Sequence, residues 1–339
     1  MKLNFKKPDM PLIGFGRSPE INLFYKNQLF KLPSVEMYHT NNKLLNYRDA
    51  SILGGNLAII QNNILYPGGY SYSRNWANYD YYKKTDESIL LEKVNTDKKK
   101  LLGKTLVLGI ASHYGHFYVD FLDRNLDSNI ADYDHYIIDQ AHQFFFDWLD
   151  FFKISLPKKN IISLGFNKII NAEYIDVFSG SSIKPFWSPH TINLIEKILP
   201  LTDVQKNKII FITRENAKER TFVNLDDVKK EFMNDFEFID TGILSIAQQA
   251  MAFQKSSLII GPIGSDLFNL VFATEHTRVI CIISKKYAEA YGDNIKMINS
   301  LCFIKNIRII FLISDEETDK KGYKSDLKID IKLLKKLLP

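Results

Sequence analysis

One stretch constrains the fold more than any other: Ser256-Ser257-Leu258-Ile259-Ile260-Gly261-Pro262-Ile263-Gly264-Ser265-Asp266-Leu267-Phe268-Asn269. A short apolar run breaks at a glycine-punctuated turn and resumes as a second apolar run. That pattern is a buried strand (Leu258–Ile260) feeding a helix that runs from Leu267 to Ala273. Gly261 and Gly264 are expected to adopt backbone angles closed to other residues and to leave room for an approaching group. A turn that opens on a helix N-terminus offers unpaired N–H groups and the positive end of the helix dipole to an anion. The stretch is therefore either a phosphate cradle or an ordinary strand-to-helix connection. It is neither Gly-x-Gly-x-x-Gly nor a lysine-bearing phosphate loop.

Its surroundings favour the first reading. Lys208 to Arg214 is a short, continuously apolar strand of the buried parallel kind. A polar loop carrying Lys218 and Arg220 comes next, and then a helix from Leu225 to Phe232 that Asn224 can cap. Phe236 to Asp240 reads as a strand and Ser245 to Lys255 as a helix. Arg278 to Ile283 and Ile307 to Ile313 supply two more strands. This alternation predicts an open parallel sheet with helices on both faces, whose ligands lie beyond the carboxyl ends of the strands where the strand order reverses. Arg214 and the turn from Gly261 to Asp266 would both lie there. A last helix is expected from Ser325 to Leu338.

The first half is less regular. Four prolines (Pro8, Pro11, Pro19 and Pro33) mark residues 1–47 as irregular. A small antiparallel meander is expected from Tyr47 to Ser71 around Gly54-Gly55-Asn56 and Asn62-Asn63. Lys98-Lys99-Lys100 reads as a solvated loop before a strand from Leu101 to Gly109. His116 onward looks helical, which sets His116 and Asp120 on one face, with Asp123 and Arg124 at the end of the same short helix. A strand at His135–Ile138, an aromatic helix from Gln140 to Phe152 and strands near Ile161–Leu164 and Glu173–Val177 continue an αβ pattern. Ser179 to His190 is the best boundary, with a helix from Pro189 to Leu199 after it. The domains are read as 1–188, 189–316, and a tail 317–339.

Composition excludes several classes. Forty-four basic residues against thirty-nine acidic ones give a net charge of +5, with no arginine-rich tract of a nucleic-acid surface. That mild charge leaves peripheral contact with an anionic inner-membrane surface open. Cys281 and Cys302 sit in apolar runs and read as core residues. Met1 to Pro8 has no apolar h-region, and no apolar run reaches the length of a membrane helix, so a cytoplasmic protein is expected. Asp132-Tyr133-Asp134 precedes a strand instead of ending one and reads as a solvated turn; no metal site is expected.

Taken in order, Ile212-Thr213-Arg214, Arg220, Asn224, Leu244-Ser245 with Gln248 and Phe253, Gly261-Pro262-Ile263-Gly264-Ser265-Asp266-Leu267 with Asn269 and Phe272, and Arg278-Val279-Ile280 resemble glycosyltransferase family 61. Upstream, Tyr114 to Asp120 with Arg124 resembles the family's aromatic–His–acid segment. The resemblance covers residues 47–285. It departs from the family at the glycine turn, where a histidine is replaced by Ile263 and Asp266 comes after Ser265. The resemblance implies an α/β fold of the GT-B-like type, with two Rossmann-like domains facing across a cleft. It also implies inverting, metal-independent transfer of a sugar from a nucleotide-sugar, UDP-linked, to a bacterial capsule or lipopolysaccharide glycan, with no resident cofactor.

Direct displacement needs a base for the acceptor hydroxyl and a cationic pocket for the departing phosphate. The base falls to Asp120, with His116 orienting it or substituting for it; the alternatives are a surface pair between Asp120 and Arg124 and a core histidine at His116. The pocket falls to Arg214, Arg220, Gly261, Gly264 and Ser265, with Gln248 and Asn269 as sugar or nucleotide contacts, or else as backbone-bonding residues within the domain. His113 is a weaker candidate. A non-catalytic glycan- or nucleotide-binding protein, and a nucleotide-sugar epimerase or hydrolase, are the alternatives on the same scaffold.

Overall fold

A computed structural model describes residues 2–5, 13–18, 20–25, 28–39, 41–55, 57–66, 82–84, 88–91, 94–110, 114–126, 128–180, 186–199, 207–290, 292–316 and 324–338. His113, Asn56 and much of the tail (317–323) lie outside the described residues. The chain is mixed α/β, built on two multistranded sheets. It divides into two compact units. One comprises Met1–Ile13, Tyr38–Lys184 and Ser188–Leu194; the other comprises Gly14–Met37, Pro185–Trp187 and Ile195–Pro339.

The first unit holds a ten-stranded sheet. Its parallel part runs Ile161–Ser163, His135–Ile138, Asn95–Gly109, Lys168–Phe178 in space. Counted along the chain that order is third, second, first, fourth, the arrangement of a nucleotide-fold half-sheet, and it reverses between Asn95–Gly109 and Lys168–Phe178. Beyond Lys168–Phe178 the sheet turns antiparallel through Leu44–Leu53, Ala58–Gln61 and Ile64–Tyr66, the expected meander. Asn62 and Asn63 both take positive φ (52° and 60°), as a two-residue hairpin of this hand requires. The lysines expected in a loop instead lie in the long Asn95–Gly109 strand. Their side chains point to water, and Lys100 pairs with Asp49 at 2.5 Å, so charge and strand coexist.

The second unit's sheet has the order Glu237–Ile239, Lys208–Ile212, Ser256–Pro262, Arg278–Ser284, Arg308–Glu316, then Ile21–Tyr25 and Gln28–Leu32. All neighbours are parallel except the last pair. Strand order reverses between Lys208–Ile212 and Ser256–Pro262, as in other doubly wound sheets. Phe211, Leu258, Ile260, Ile280 and Ile282 share one core with Val228 and Phe232 of helix Leu225–Phe232 and with Leu333 and Leu334 of helix Ile331–Leu337. The intervening Ile210, Ile212, Ile259, Val279, Cys281 and Ile283 are also buried, so both faces are covered. Burial pushes the thiols of both cysteines up, which suits their role as core fillers.

Four expectations fail here. Ile21–Tyr25 and Gln28–Leu32 are paired antiparallel strands, not irregular chain: Pro19 and Pro33 flank the apolar runs in the sequence without interrupting them. The closing helix starts only at Ile331. Leu327–Lys328 is a short strand against Arg308–Glu316, and Asn224 holds Ile329 in line by bonding both its N–H (2.9 Å) and its C=O (3.0 Å). Asp330 then caps Leu333 N–H at 3.0 Å and lets the helix begin. Asn224 therefore stands at the N-cap position of Leu225–Phe232 but makes no side-chain cap there. Lastly, the run after the glycine turn is a 3₁₀ helix, Ser265–Phe272, and not an α-helix.

Candidate functional site

In the first unit, the chain leaves Asn95–Gly109 and winds through residues 114–125 as one helical stretch whose middle, Phe117–Leu122, is π-helical. Wide π turns recur at functional sites because they re-aim side chains. An aromatic wedge fixes this stretch: Phe117 and Tyr118 lie 5.0 and 4.8 Å from Trp148, and Phe121 meets Phe145 edge-on at 5.1 Å. Burial, with Tyr114 beside it, holds the Tyr118 hydroxyl well above its ordinary pKa.

Asp120 does not reach water. It is 0% exposed, and Arg124 Nε meets its carboxylate at 2.7 Å with only 1% of the arginine side chain exposed. The pair expected at the surface is thus a buried one. Gly109 and Gly180 make room for it at the ends of the two strands where the order reverses. A Cβ on Gly109 would come within 2.9 Å of Asp120 Oδ1, and one on Gly180 within 2.7 Å of Asp123 Oδ2. Both glycines have positive φ (114° and 80°), so two separate reasons require them. Around the pair, Thr191 donates to Asp123, Asn42 donates to the Arg124 carbonyl at 2.8 Å, and Gly180 N–H donates to Asn42 at 2.9 Å. Sequence reading finds Asp120, Asp123 and Arg124 but not Asn42, Thr191 or the two glycines, which join the cluster only through the fold. His116 ends the first turn of the stretch; its side chain lies outside the described residues.

In the second unit, Arg214 comes after Lys208–Ile212, and the turn at Ile263-Gly264 comes after Ser256–Pro262, so they flank the point where strand order reverses. The geometry differs from expectation in an instructive way. Gly261 lies within its strand, paired with Cys281; a Cβ there would meet Ile212 Cβ at 2.9 Å. Its bareness serves packing between strands. Gly264 has φ 166°, extended backbone open to any residue, but a Cβ on it would come within 2.8 Å of Arg214 Nη1. The left-handed backbone falls on Arg214 (φ 55°) and Arg220 (φ 57°) instead. Non-glycine residues rarely hold that conformation without local compensation, and such residues gather at binding sites.

Arg214 is tied down. Nη1 donates to Asp266, and Nη2 reaches the Glu219 carbonyl at 3.4 Å. Asp266 also accepts from the Thr241 hydroxyl. It therefore neither points away from Arg214 nor caps the helix, for Gly264 holds the N-cap position without a side-chain bond. Arg220 lies over the Tyr287 ring at 5.8 Å. Nε of Arg214 and Nε of Arg220 are both buried without a hydrogen-bond partner among the described residues. Asp240, just past Glu237–Ile239, accepts from Asn216 N (2.9 Å), Asn216 Nδ2 (2.8 Å) and Gly242 N (3.0 Å). Partial burial raises its carboxyl pKa, but these bonds and the Arg214 charge outweigh that and leave it below the usual carboxylate value.

The remaining candidates are engaged within the unit. Gln248 forms a capping box with Ser245: its Oε1 accepts from Ser245 N at 2.8 Å, and its own N–H donates to Ser245 Oγ at 3.3 Å. Asn269, fully buried, donates to Gln249 Oε1 at 2.7 Å, and Gln249 in turn bonds the Thr241 and Leu244 carbonyls. Ile263 is buried and its N–H bonds Ile282. Ser265 is half-buried at the start of the 3₁₀ helix. Sequence reading misses Thr241 and Asp240; the usable signal is their place at a strand's carboxyl end. Asp132 and Asp134 are exposed, and Asp134 accepts from Lys104 N at 2.8 Å. Among the described residues there is no cluster of metal-ligating side chains and no helix long and apolar enough to cross a membrane.

Residues 114–280 match the family model described as Glycosyltransferase 61, a span that contains both the Asp120–Arg124 pair and the Arg214–Asp266 contact. No curated protein matches the chain.

Proposed function

Because the chain belongs to glycosyltransferase family 61, we propose that it transfers a sugar from a nucleotide-sugar donor, UDP-linked, to a growing bacterial surface glycan of the capsule or lipopolysaccharide kind. On this reading the fold is of GT-B type, the protein is cytoplasmic with peripheral membrane contact, and transfer is a single displacement with inversion that needs no metal. The observation that carries the reading is the placing of Arg214 and the Gly264–Asp266 turn beyond adjacent parallel strands where their order reverses. Ligands of open α/β sheets bind at such points. The planar guanidinium forks of Arg214 and Arg220, each with an unmatched buried Nε, suit phosphate oxygens. They stabilise the charge that builds on the departing phosphate.

The acceptor proton goes to His116. Asp120 has no route to a substrate hydroxyl while sealed against Arg124, so its part is to fix the helical stretch that carries His116. Gln248 caps helix Ile246–Gln254, and Asn269 ties the 3₁₀ helix after the glycine turn to Gln249.

The test is calorimetric titration and thermal shift with UDP, GDP and CMP. One nucleotide should raise the melting temperature by mass action. Arg214→Ala should weaken its binding at least tenfold. A protein that responds to no nucleotide, or binds equally well without Arg214, is not such a transferase.

A further inference from the structure

The contact between Arg214 and Asp266 sets an unusual condition on the phosphate site, and its functional meaning rests on the reading of that site as the donor pocket. In the second unit one carboxylate receives two donors, the Arg214 guanidinium and the Thr241 hydroxyl, which arrive from the ends of two neighbouring strands. Carboxylate and phosphate oxygens compete for the same face of a guanidinium, since both match its forked N–H groups. Asp266 therefore stands where a phosphate oxygen would bind, and its charge cancels that of Arg214 in a pocket where only 13% and 19% of the two side chains are exposed. Two neighbouring lysines do not make up the loss. Lys229 pairs with Glu215 at 2.6 Å and Lys324 with Glu219 at 2.7 Å, both on the Arg214–Arg220 loop.

We propose that Asp266 sets the affinity and charge preference of the donor site by occupying Arg214 as an internal anion, which an incoming phosphate must displace. The carboxylate moves off Nη1 and keeps its bond from Thr241, and the phosphate takes the vacated Nη1 donor on the Nη1–Nη2 edge of the guanidinium. No proton transfer or covalent step is involved. Two consequences separate this role from a structural one. Removing the carboxylate strengthens phosphate binding, whereas losing a structural ion pair would weaken it. The gain also depends on Arg214.

The experiment titrates inorganic pyrophosphate, the diphosphates UDP, GDP and CDP, and the monophosphates UMP, GMP and CMP into four proteins: wild type, Asp266→Asn, Arg214→Ala and the double variant. Asp266→Asn keeps the shape and the Thr241 contact, and Asp266→Ala serves as a second variant should the first fail to fold; circular dichroism checks each. The expected result is at least tenfold tighter binding in the Asp266 variant, larger for pyrophosphate and diphosphates than for the matching monophosphates, and no gain where Arg214 is already alanine. Weaker or unchanged binding in the Asp266 variants while the wild type binds would overturn the proposal and leave the donor site standing. A gain that persists without Arg214 would overturn it too. If neither wild type nor variant binds any of these anions, both the proposal and the donor site fall together.

Discussion

At the scale of single residues, charges decide what each unit can do. Asp120 and Arg124 show this most plainly, because taking two ions out of water is tolerable only while each has the other. Asp120→Asn removes the charge that lies 2.7 Å from the buried Arg124 guanidinium and should cost about 3–5 kcal/mol, read as a lower urea midpoint. A catalytic carboxylate would behave otherwise, losing turnover at unchanged stability; that outcome would return Asp120 to the role of base. Asp240 offers a second test through pH. Its carboxyl pKa is lower folded than unfolded, so its contribution to stability is full above the ordinary carboxylate pKa of about 3.9 and is lost as pH falls through the folded value. Urea unfolding between about pH 6 and pH 2 should show this loss, and Asp240→Asn should flatten it. An identical acid limb in the two proteins would mean that the three N–H bonds to Asp240 do not favour its ionised form.

At the scale of elements, sequence and structure part company where a residue's neighbours come from far along the chain. Strands such as His135–Ile138 and helix Leu225–Phe232 can be read directly, because a short apolar run or a 3.6-residue period reports local burial. The glycine turn can be located but not interpreted. Its sequence invites an argument from backbone freedom, yet Gly261 is ordinary strand and the left-handed residues are Arg214 and Arg220. No local pattern announces that Ile212 of the adjacent strand presses on Gly261, since the register of two parallel strands far apart in the chain is a tertiary fact. The Asp120 cluster is half legible for the same reason: the i, i+4 spacing to Arg124 is local, but its burial depends on Gly109, Gly180 and Asn42. Gly261→Ala tests the packing role directly. Its new methyl would press on Ile212 Cβ at 2.9 Å, so overpacking should lower stability by roughly 1–3 kcal/mol while nucleotide affinity per folded molecule stays near wild type. If affinity instead collapses at unchanged stability, Gly261 belongs to the phosphate contact after all.

At the scale of the whole molecule, the chain does not spend its sequence in order. Gly14–Met37 belongs to the second unit although Tyr38–Lys184 belongs to the first. The reason lies at the sheet edge. The parallel strand Arg308–Glu316 would present a row of unpaired backbone groups, which promotes aggregation in an open sheet. Ile21–Tyr25 pairs with it through Leu23 opposite Phe311 and Phe24 opposite Leu312, and Gln28–Leu32 folds back as the outermost strand. Ile21 and Leu23 are buried there, and Phe24 packs on the same core as Phe211 and Val228. The N-terminal hairpin thus closes the far side of the sheet whose opposite half carries Arg214 and the glycine turn. Leu23→Asp tests this dependence, because it places an unpaired charge against a packed core, a change of the order of 3 kcal/mol. Hydrogen exchange should then quicken first at Phe311 and Leu312 and spread through Arg308–Glu316, while the amides of Leu106 and Val107 in the other unit keep their protection. Unchanged exchange at Phe311 would mean that the second sheet holds without its N-terminal edge, and that Gly14–Met37 is an attachment and not part of its fold.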